Sequence, residues 1–295
     1  MNSVIDYSIC CDSADLYAWV LKNTNYEYVR NLDYTRSISL QLDGTDVRIN
    51  FVHRVSNKKM YDQLTNRFLS NTAGTPDYVL FKKTTPIVCI EDSKTAPVGN
   101  AVIQRLDKLW PLLLDDNIEC PIIYIGPREG LDVSQNKMRG WPQSWFYKNF
   151  AKDRPDAFLL LDNEASICER VFSEIISVIK SDIKGERIAK QKVTTNELKR
   201  LHSAMSKNIR TYSNGIFRGK LFKPDGTDAH PVQSTLMVIS ETRAALKLSP
   251  IKIKLNNAHR QKLLNSKCSR EGKFLKLVVF SNDEPWSIEF QKSNF

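Results

Sequence analysis

The sequence predicts an α/β fold, a central mixed β-sheet flanked by helices, and three observations predict it. Short runs rich in β-branched and aromatic residues (DYVLF, PIVCI, PIIYIG and AFLLL) read as buried strands. Segments of helical spacing lie between or beside them, of which ASICERVFSEIISVIKSDI has the most sharply divided faces. The resulting strand–helix–strand–helix order is that of helices packed on a sheet.

From the N-terminus, SADLYAWVLKN predicts a helix capped by Ser13, with Leu16, Trp19 and Val20 on one face. SISLQLDGTDVRINFVHRV alternates as a β-hairpin that turns at Asp43-Gly44. NKKMYDQLTNRFLS returns to helical spacing along Met60, Leu64, Phe68 and Leu69. DYVLF and PIVCI follow as two strands joined by the polar KKTT, and AVIQRLDKLWPLLL predicts a helix before the strand PIIYIG. AFLLL and the amphipathic helix after it repeat that unit. Beyond Lys184 the character changes. GERIAKQKVTTNELKRLHSAMSKNIR predicts an exposed basic helix carrying Thr195, Leu198, Leu201 and Met205, and KFLKLVVF and WSIEF close the chain as strands. Residues 1–183 are therefore read as the core, and residues 184–295 as a basic α+β part that is either a second region or continuous with it.

Charge follows the same division. Residues 1–150 hold 17 Lys and Arg against 17 Asp and Glu, whereas residues 151–295 hold 26 against 16, so the whole net charge of +10 lies in the second half. From Lys184 onward the count is 22 against 9. A local surplus of this kind suits a polyanion, because phosphate contacts release condensed counterions. A solvated basic face explains the charge alone equally well.

Several classes are excluded. No stretch approaches the ~20 apolar residues that span a bilayer, and MNSVIDYSICC has neither the basic nor the apolar region of a secretory signal. The six cysteines show no CxxC pair, which argues against zinc or a disulfide framework and predicts a reducing, cytoplasmic setting. There is no GxSxG elbow, no Walker loop and no dinucleotide glycine pattern. The four histidines are isolated. The aromatic run GWPQSWFYKNF reads first as packing, with base stacking as the alternative.

The chemistry lies in GTPDYVLFKKTTPIVCIEDSKTAP. With the hairpin centred on Thr84-Thr85, in a four-residue loop, Asp77 falls opposite Asp92, and opposed Cβ atoms stand ~5 Å apart. Asp92 and Lys94 are two apart on one strand and share a face. A register slip of one residue would bring Glu91 forward instead. Two carboxylates so close repel each other unless one protonates or a cation joins them. Mg²⁺ suits the role, since it takes oxygen ligands from one or two carboxylates together with water and phosphate.

Pro76-Asp77, followed by Asp92-Ser93-Lys94 at the end of an apolar strand, resembles the PD-(D/E)xK nuclease motif. The dipeptide alone is common, recurring at Pro155-Asp156 and Pro224-Asp225, but only the first copy leads through an apolar strand to an acid-x-Lys triplet. The resemblance covers residues 74–125 and is closest to a type II restriction endonuclease. It implies a restriction-endonuclease-like core, cleavage of double-stranded DNA, and a homodimer for palindromic sites. It also implies Asp77 and Asp92 as ligands of Mg²⁺, with Mn²⁺ able to substitute, and Lys94 acting on the attacking water. Gln104 and Lys108 fall on the helix that follows the motif, Asp62 is the nearest candidate for an upstream acid, and His53 corresponds to a ligand of the cap-snatching members. Arg210, Arg218 and Arg243 are candidate base-reading residues by their basic or loop-like surroundings. A repair or structure-specific nuclease, a viral RNA endonuclease, and a non-catalytic nucleic-acid-binding protein are the alternatives.

Overall fold

The structure is a computed structural model that describes residues 4–30, 36–71, 75–93, 109–127, 150–162, 167–203, 242, 245–248, 275–280 and 287–292. The chain divides into two compact units that interleave in sequence. One comprises Met1–Pro97, Asp115–Gly130 and Arg154–Gln191; the other comprises Val98–Leu114, Leu131–Asp153 and Lys192–Phe295.

The first unit is built on an eight-stranded mixed sheet, so the α/β class expected from the sequence is what the chain adopts. Its strands are β1 (Ile5–Cys11), β2 (Glu27–Arg30), β3 (Arg36–Leu42), β4 (Thr45–His53), β5 (Tyr78–Lys82), β6 (Thr85–Asp92), β7 (Ile122–Pro127) and β8 (Phe158–Leu161). Their spatial order is β2-β3-β4-β1-β5-β6-β7-β8. The pairs β1/β4, β6/β7 and β7/β8 run parallel, and the remaining neighbours run antiparallel.

The β3–β4 hairpin forms as the alternation predicts. Asp43 (φ 47) and Gly44 (φ 80) both take left-handed backbone, which a two-residue primed turn requires and which Asp-Gly tolerates better than most pairs. Leu42 then pairs with Thr45 directly across the turn.

Helix α1 (Asp15–Asn23) and the 17-residue helix α3 (Ile167–Ile183) cover one face of the sheet. Leu16 and Val20 of α1 and Val171, Ile175 and Ile179 of α3 are at or near zero exposure against Ile9, Ile49, Tyr78 and Ile90. Each such side chain contributes roughly 1.5–3 kcal/mol relative to exposure. The cap of α1 differs from expectation: Ala14 is the N-cap and makes no side-chain bond. Ser13 lies one residue further out, where its Oγ still accepts the Asp15 N–H at 3.3 Å.

Helix α2 (Lys58–Asn71) covers the other face, beside β4 and β1. Its buried stripe is Tyr61, Thr65 and Phe68, with Met60 and Leu64 only half-buried, because the helix is rotated from the face its aliphatic residues suggest. The Phe68 ring meets Phe81 edge-on at 6.4 Å.

Asp182, near the end of α3, binds the far end of the sheet. Its Oδ2 accepts both the Tyr7 hydroxyl at 2.6 Å and the Lys82 ammonium at 2.7 Å. No helix among the described residues is long and apolar enough to cross a membrane.

In the second unit, residues 109–114 are helical, and Trp110 is fully buried. Its ring meets Phe150 edge-on at 4.9 Å, and its Nε1–H donates to Thr242 Oγ1 at 3.1 Å. The expected basic helix occupies 195–203. It opens on a capping box in which Thr194 N–H donates to Glu197 Oε2 (2.8 Å) while Glu197 N–H donates to Thr194 Oγ1 (3.2 Å). Leu198 and Leu201 are buried, so the helix is not exposed on that face as the sequence reading expects. Strands β9 (Leu275–Phe280) and β10 (Ser287–Lys292) form where the sequence predicts strands, and they pair antiparallel.

Candidate active site

Strand direction gathers the acids. β1 and β4 run parallel and end side by side at Cys11 and His53. β5 starts at that same end, with Tyr78 paired to Cys11, and β6 finishes there, with Ile90 paired to Tyr78. Asp12, His53, Asp77, Glu91 and Asp92 therefore all stand at one end of the sheet.

The register differs from the sequence reading. The β5–β6 turn has two residues, Lys83-Thr84, and not four centred on Thr84-Thr85, because Lys83 takes left-handed backbone (φ 56). A bulge between Leu80 and Phe81 then shifts the pairing by one residue, so that Tyr78 pairs with Ile90. Continued outward, this pairing sets Asp77 across from Glu91, one position short of Asp92. Asp92 lies on the face of Tyr78 and Ile90, toward α1 and α3, and Glu91 on the α2 face.

Asp77 joins the two faces at the strand end. Its backbone N–H donates to Glu91 Oε2 at 3.0 Å, and its own Oδ2 accepts the Asp92 N–H at 3.1 Å. The Tyr78 hydroxyl donates to Asp92 Oδ2 at 2.9 Å. Glu91 is fully buried, Asp92 is 4% exposed and Asp77 is half-buried. Burial, followed by the charge of and the bond to Asp92, pushes the Tyr78 hydroxyl far above its ordinary range.

Asp12 forms a second node beside this one. Its N–H donates to Asp77 O at 3.4 Å, Tyr61 OH donates to its Oδ1 at 2.6 Å, and Arg54 Nη1 to its Oδ2 at 3.3 Å. His53 Nε2 lies 3.1 Å from the Asp12 carbonyl oxygen, and its Nδ1 lies 3.3 Å from Ser56 Oγ.

The structure thus brings Asp77, Glu91 and Asp92 together, with His53 at the same sheet end. Asp62 is elsewhere: it pairs with Lys58 at 2.7 Å on the surface of α2. Lys94, Gln104, Lys108, Arg210, Arg218 and Arg243 lie outside the described residues. Sequence reasoning missed Asp12, Tyr61 and Tyr78. Only the insertion of β1 between β4 and β5 brings Asp12 beside Asp77, and linear spacing carries no sign of it. Tyr78 had a local sign, being next to the motif aspartate.

The carboxylates gathered here offer hard oxygens, the type Mg²⁺ prefers, and one or two carboxylates are what that ion usually takes from a protein. Asp77 and Asp92 fit such a set by chemistry. No three of His, Cys, Asp and Glu among the described residues are arranged as a metal-holding group. No protein-family model matches this chain, and no curated protein matches it.

Proposed function

We propose that the chain is a Mg²⁺-dependent endonuclease of the PD-(D/E)xK kind, with a restriction-endonuclease-like core, hydrolysing phosphodiester bonds in double-stranded DNA at specific sites. The observation that carries this reading is the hydrogen-bonded node of Asp77 with Glu91-Asp92, where β5 begins and β6 ends. An acid from each strand of one hairpin, held in fixed relation at a sheet end, is what the motif's chemistry requires. Asp77 and Asp92 would hold the ion, and Mn²⁺ would serve in place of Mg²⁺. When bound, such an ion supplies Lewis-acid chemistry, making water more acidic and offsetting charge on the scissile phosphate.

The protein's own residues do the rest. The Tyr78 hydroxyl orients the Asp92 carboxylate, and the Asp92 N–H orients Asp77. Lys94, two residues beyond Asp92, acts on the attacking water or on the oxyanion that develops. The basic second half, 22 Lys and Arg against 9 Asp and Glu from Lys184 onward, grips the duplex backbone. A homodimer would read palindromic sites with two such centres. His53, across β1 from Tyr78, the residue after Asp77, favours a second reading within the same superfamily, an RNA endonuclease.

The test is incubation of the purified chain with assorted DNA and RNA in Mg²⁺, with a chelator control and mapping of the cuts. Discrete, chelator-sensitive cuts in DNA are expected. Cuts in RNA alone would replace the first reading with the second. Intact nucleic acid of both kinds, despite tight binding, would leave a non-catalytic binding protein.

A further inference from the structure

Four of the cysteines in the described residues are buried, and two of these meet. Cys89 on β6 and Cys120, just before β7, hold their sulfurs 3.6 Å apart at 0% and 2% exposure. Their backbones are already locked side by side. The Cys89 N–H donates to Pro121 O at 3.0 Å, and Cys89 is the register partner of Ile122. An S–S bond is about 2.05 Å long, so closing one needs the sulfurs to approach by about 1.6 Å.

A cation lies beside the pair. Lys190 is half-buried, with its amide donating to Glu119 O at 3.2 Å and its ammonium donating to Asp115 O. Burial lowers its pKa, while Asp115, Asp116, Cys120 and Cys89 pull the other way, Cys120 more strongly than Cys89. A neighbouring ammonium favours the thiolate, the form that reacts with oxidants. Cys10 and Cys11, by comparison, are successive residues on β1 and point to opposite faces of the sheet.

We infer that Cys120 and Cys89 form an oxidisable pair that takes a small hydroperoxide as its oxidant, with Lys190 held through its backbone to Glu119, the residue before Cys120. The Cys120 thiolate attacks the peroxide, the O–O bond breaks, and the departing oxygen takes up a proton, which leaves a sulfenic acid on Cys120. The Cys89 sulfur then attacks the sulfenic sulfur, the S–O bond breaks, and water leaves with the Cys89 proton. Two thiols are oxidised, and one hydroperoxide is reduced to an alcohol (or water) plus one water. The new bond would tie β6 to the residue before β7 and close a loop containing Glu91, Asp92 and Lys94. The inference stands on its own observations, whatever the acids do.

The experiment treats the full chain with hydrogen peroxide, blocks remaining thiols with N-ethylmaleimide, and maps unreduced peptides by mass spectrometry. The expected product is a Cys89–Cys120 linked peptide pair, two hydrogens lighter than the separate peptides and separated again by dithiothreitol. Cys89→Ser should stop the reaction at a Cys120 sulfenic acid, which dimedone captures. Lys190→Gln should slow linkage by roughly three- to tenfold and Lys190→Arg should restore it. Recovery of both cysteines as alkylated thiols, or as sulfinic acids without a link, would overturn the pair. An unchanged rate in Lys190→Gln would remove Lys190 from it.

Discussion

The backbone N–H of Asp92 donates to the side chain of Asp77 across 3.1 Å, so one acid of the candidate site is positioned by the strand that carries the other. A substitution at Asp77 therefore changes two things at once, the charge and the acceptor that holds the end of β6.

The first prediction separates them. Asp77→Asn keeps an oxygen that can accept the Asp92 N–H, and Asp77→Ala does not. Both should abolish cleavage, as should Asp92→Ala, while Asp77→Ala, unlike Asp77→Asn, should also lose about 1 kcal/mol of stability. Binding of DNA should stay equal to wild type or tighten, since a negative charge facing phosphate is removed. Cleavage assays beside urea melts check this, and wild-type turnover in any of the three would end the assignment.

Lys94→Ala should lose most cleavage but keep metal affinity, because its role is toward the water and not the ion. Calorimetric Mg²⁺ titration against cleavage rate distinguishes these. A parallel comparison of Glu91→Gln with Asp92→Asn asks which acid of the dipeptide acts. The register found here turns Glu91 to the α2 face, so Asp92→Asn should be the more damaging to cleavage and Glu91→Gln chiefly a stability loss.

Tyr78→Phe removes the hydroxyl that donates to Asp92 and little else. The nearly buried carboxylate then loses a donor, at an expected cost of about 1–3 kcal/mol. A lower urea midpoint with an unchanged slope is the expected signature, and an unchanged midpoint would mean that water replaces the hydroxyl.

Alkaline pH should expose three tyrosines as a group. Burial first, then bonds to Asp182, Asp12 and Asp92, raise the hydroxyls of Tyr7, Tyr61 and Tyr78 above the ordinary value of 10.0. A raised folded value means the native state holds its proton more tightly. The stabilisation is complete below pH ~10 and is lost as pH rises through the folded values. Of the ten tyrosines, at least these three should ionise only together with loss of far-UV circular dichroism. Full tyrosinate absorbance on an intact fold would contradict it.

Neutralising Lys and Arg residues within 184–223 or 252–276 should weaken binding to all DNA sequences alike. The salt dependence should flatten by roughly one unit per lost phosphate contact. Unchanged slopes in both sets would reduce the basic half to a solvated surface.

Much of this fold was legible in the sequence because its signals are local. Asp43-Gly44 needs only its own backbone freedom to turn a hairpin, and the stripe from Ile167 to Ile179 needs only its own spacing to mark a buried helix face. What was not legible depended on distant partners. The bulge at Leu80/Phe81 and the left-handed Lys83 set the register against Asp92, and neither has a sequence signature. The rotation of α2 onto Tyr61, Thr65 and Phe68 follows from what the sheet offers, including a carboxylate at Asp12 for the Tyr61 hydroxyl. At the candidate site the acids of the motif could be named in advance. Their partners could not, because β1 enters between β4 and β5 from far away in the chain.

The double bond of Asp182 to Tyr7 and Lys82 has a mechanical consequence for the opposite end of the sheet. It pins α3 near its last turn, and a helix of 17 residues is about 25 Å long. Any tilt of that rod pivots at the pin, so its travel grows along the length and is greatest at Ile167 and Cys168. A tilt of about 5° moves that tip by about 2 Å over this lever arm. Cys168 lies within electrostatic reach of Tyr78. The end of α3 farthest from the Asp182 anchor is thus the end nearest Tyr78 and its partner Asp92.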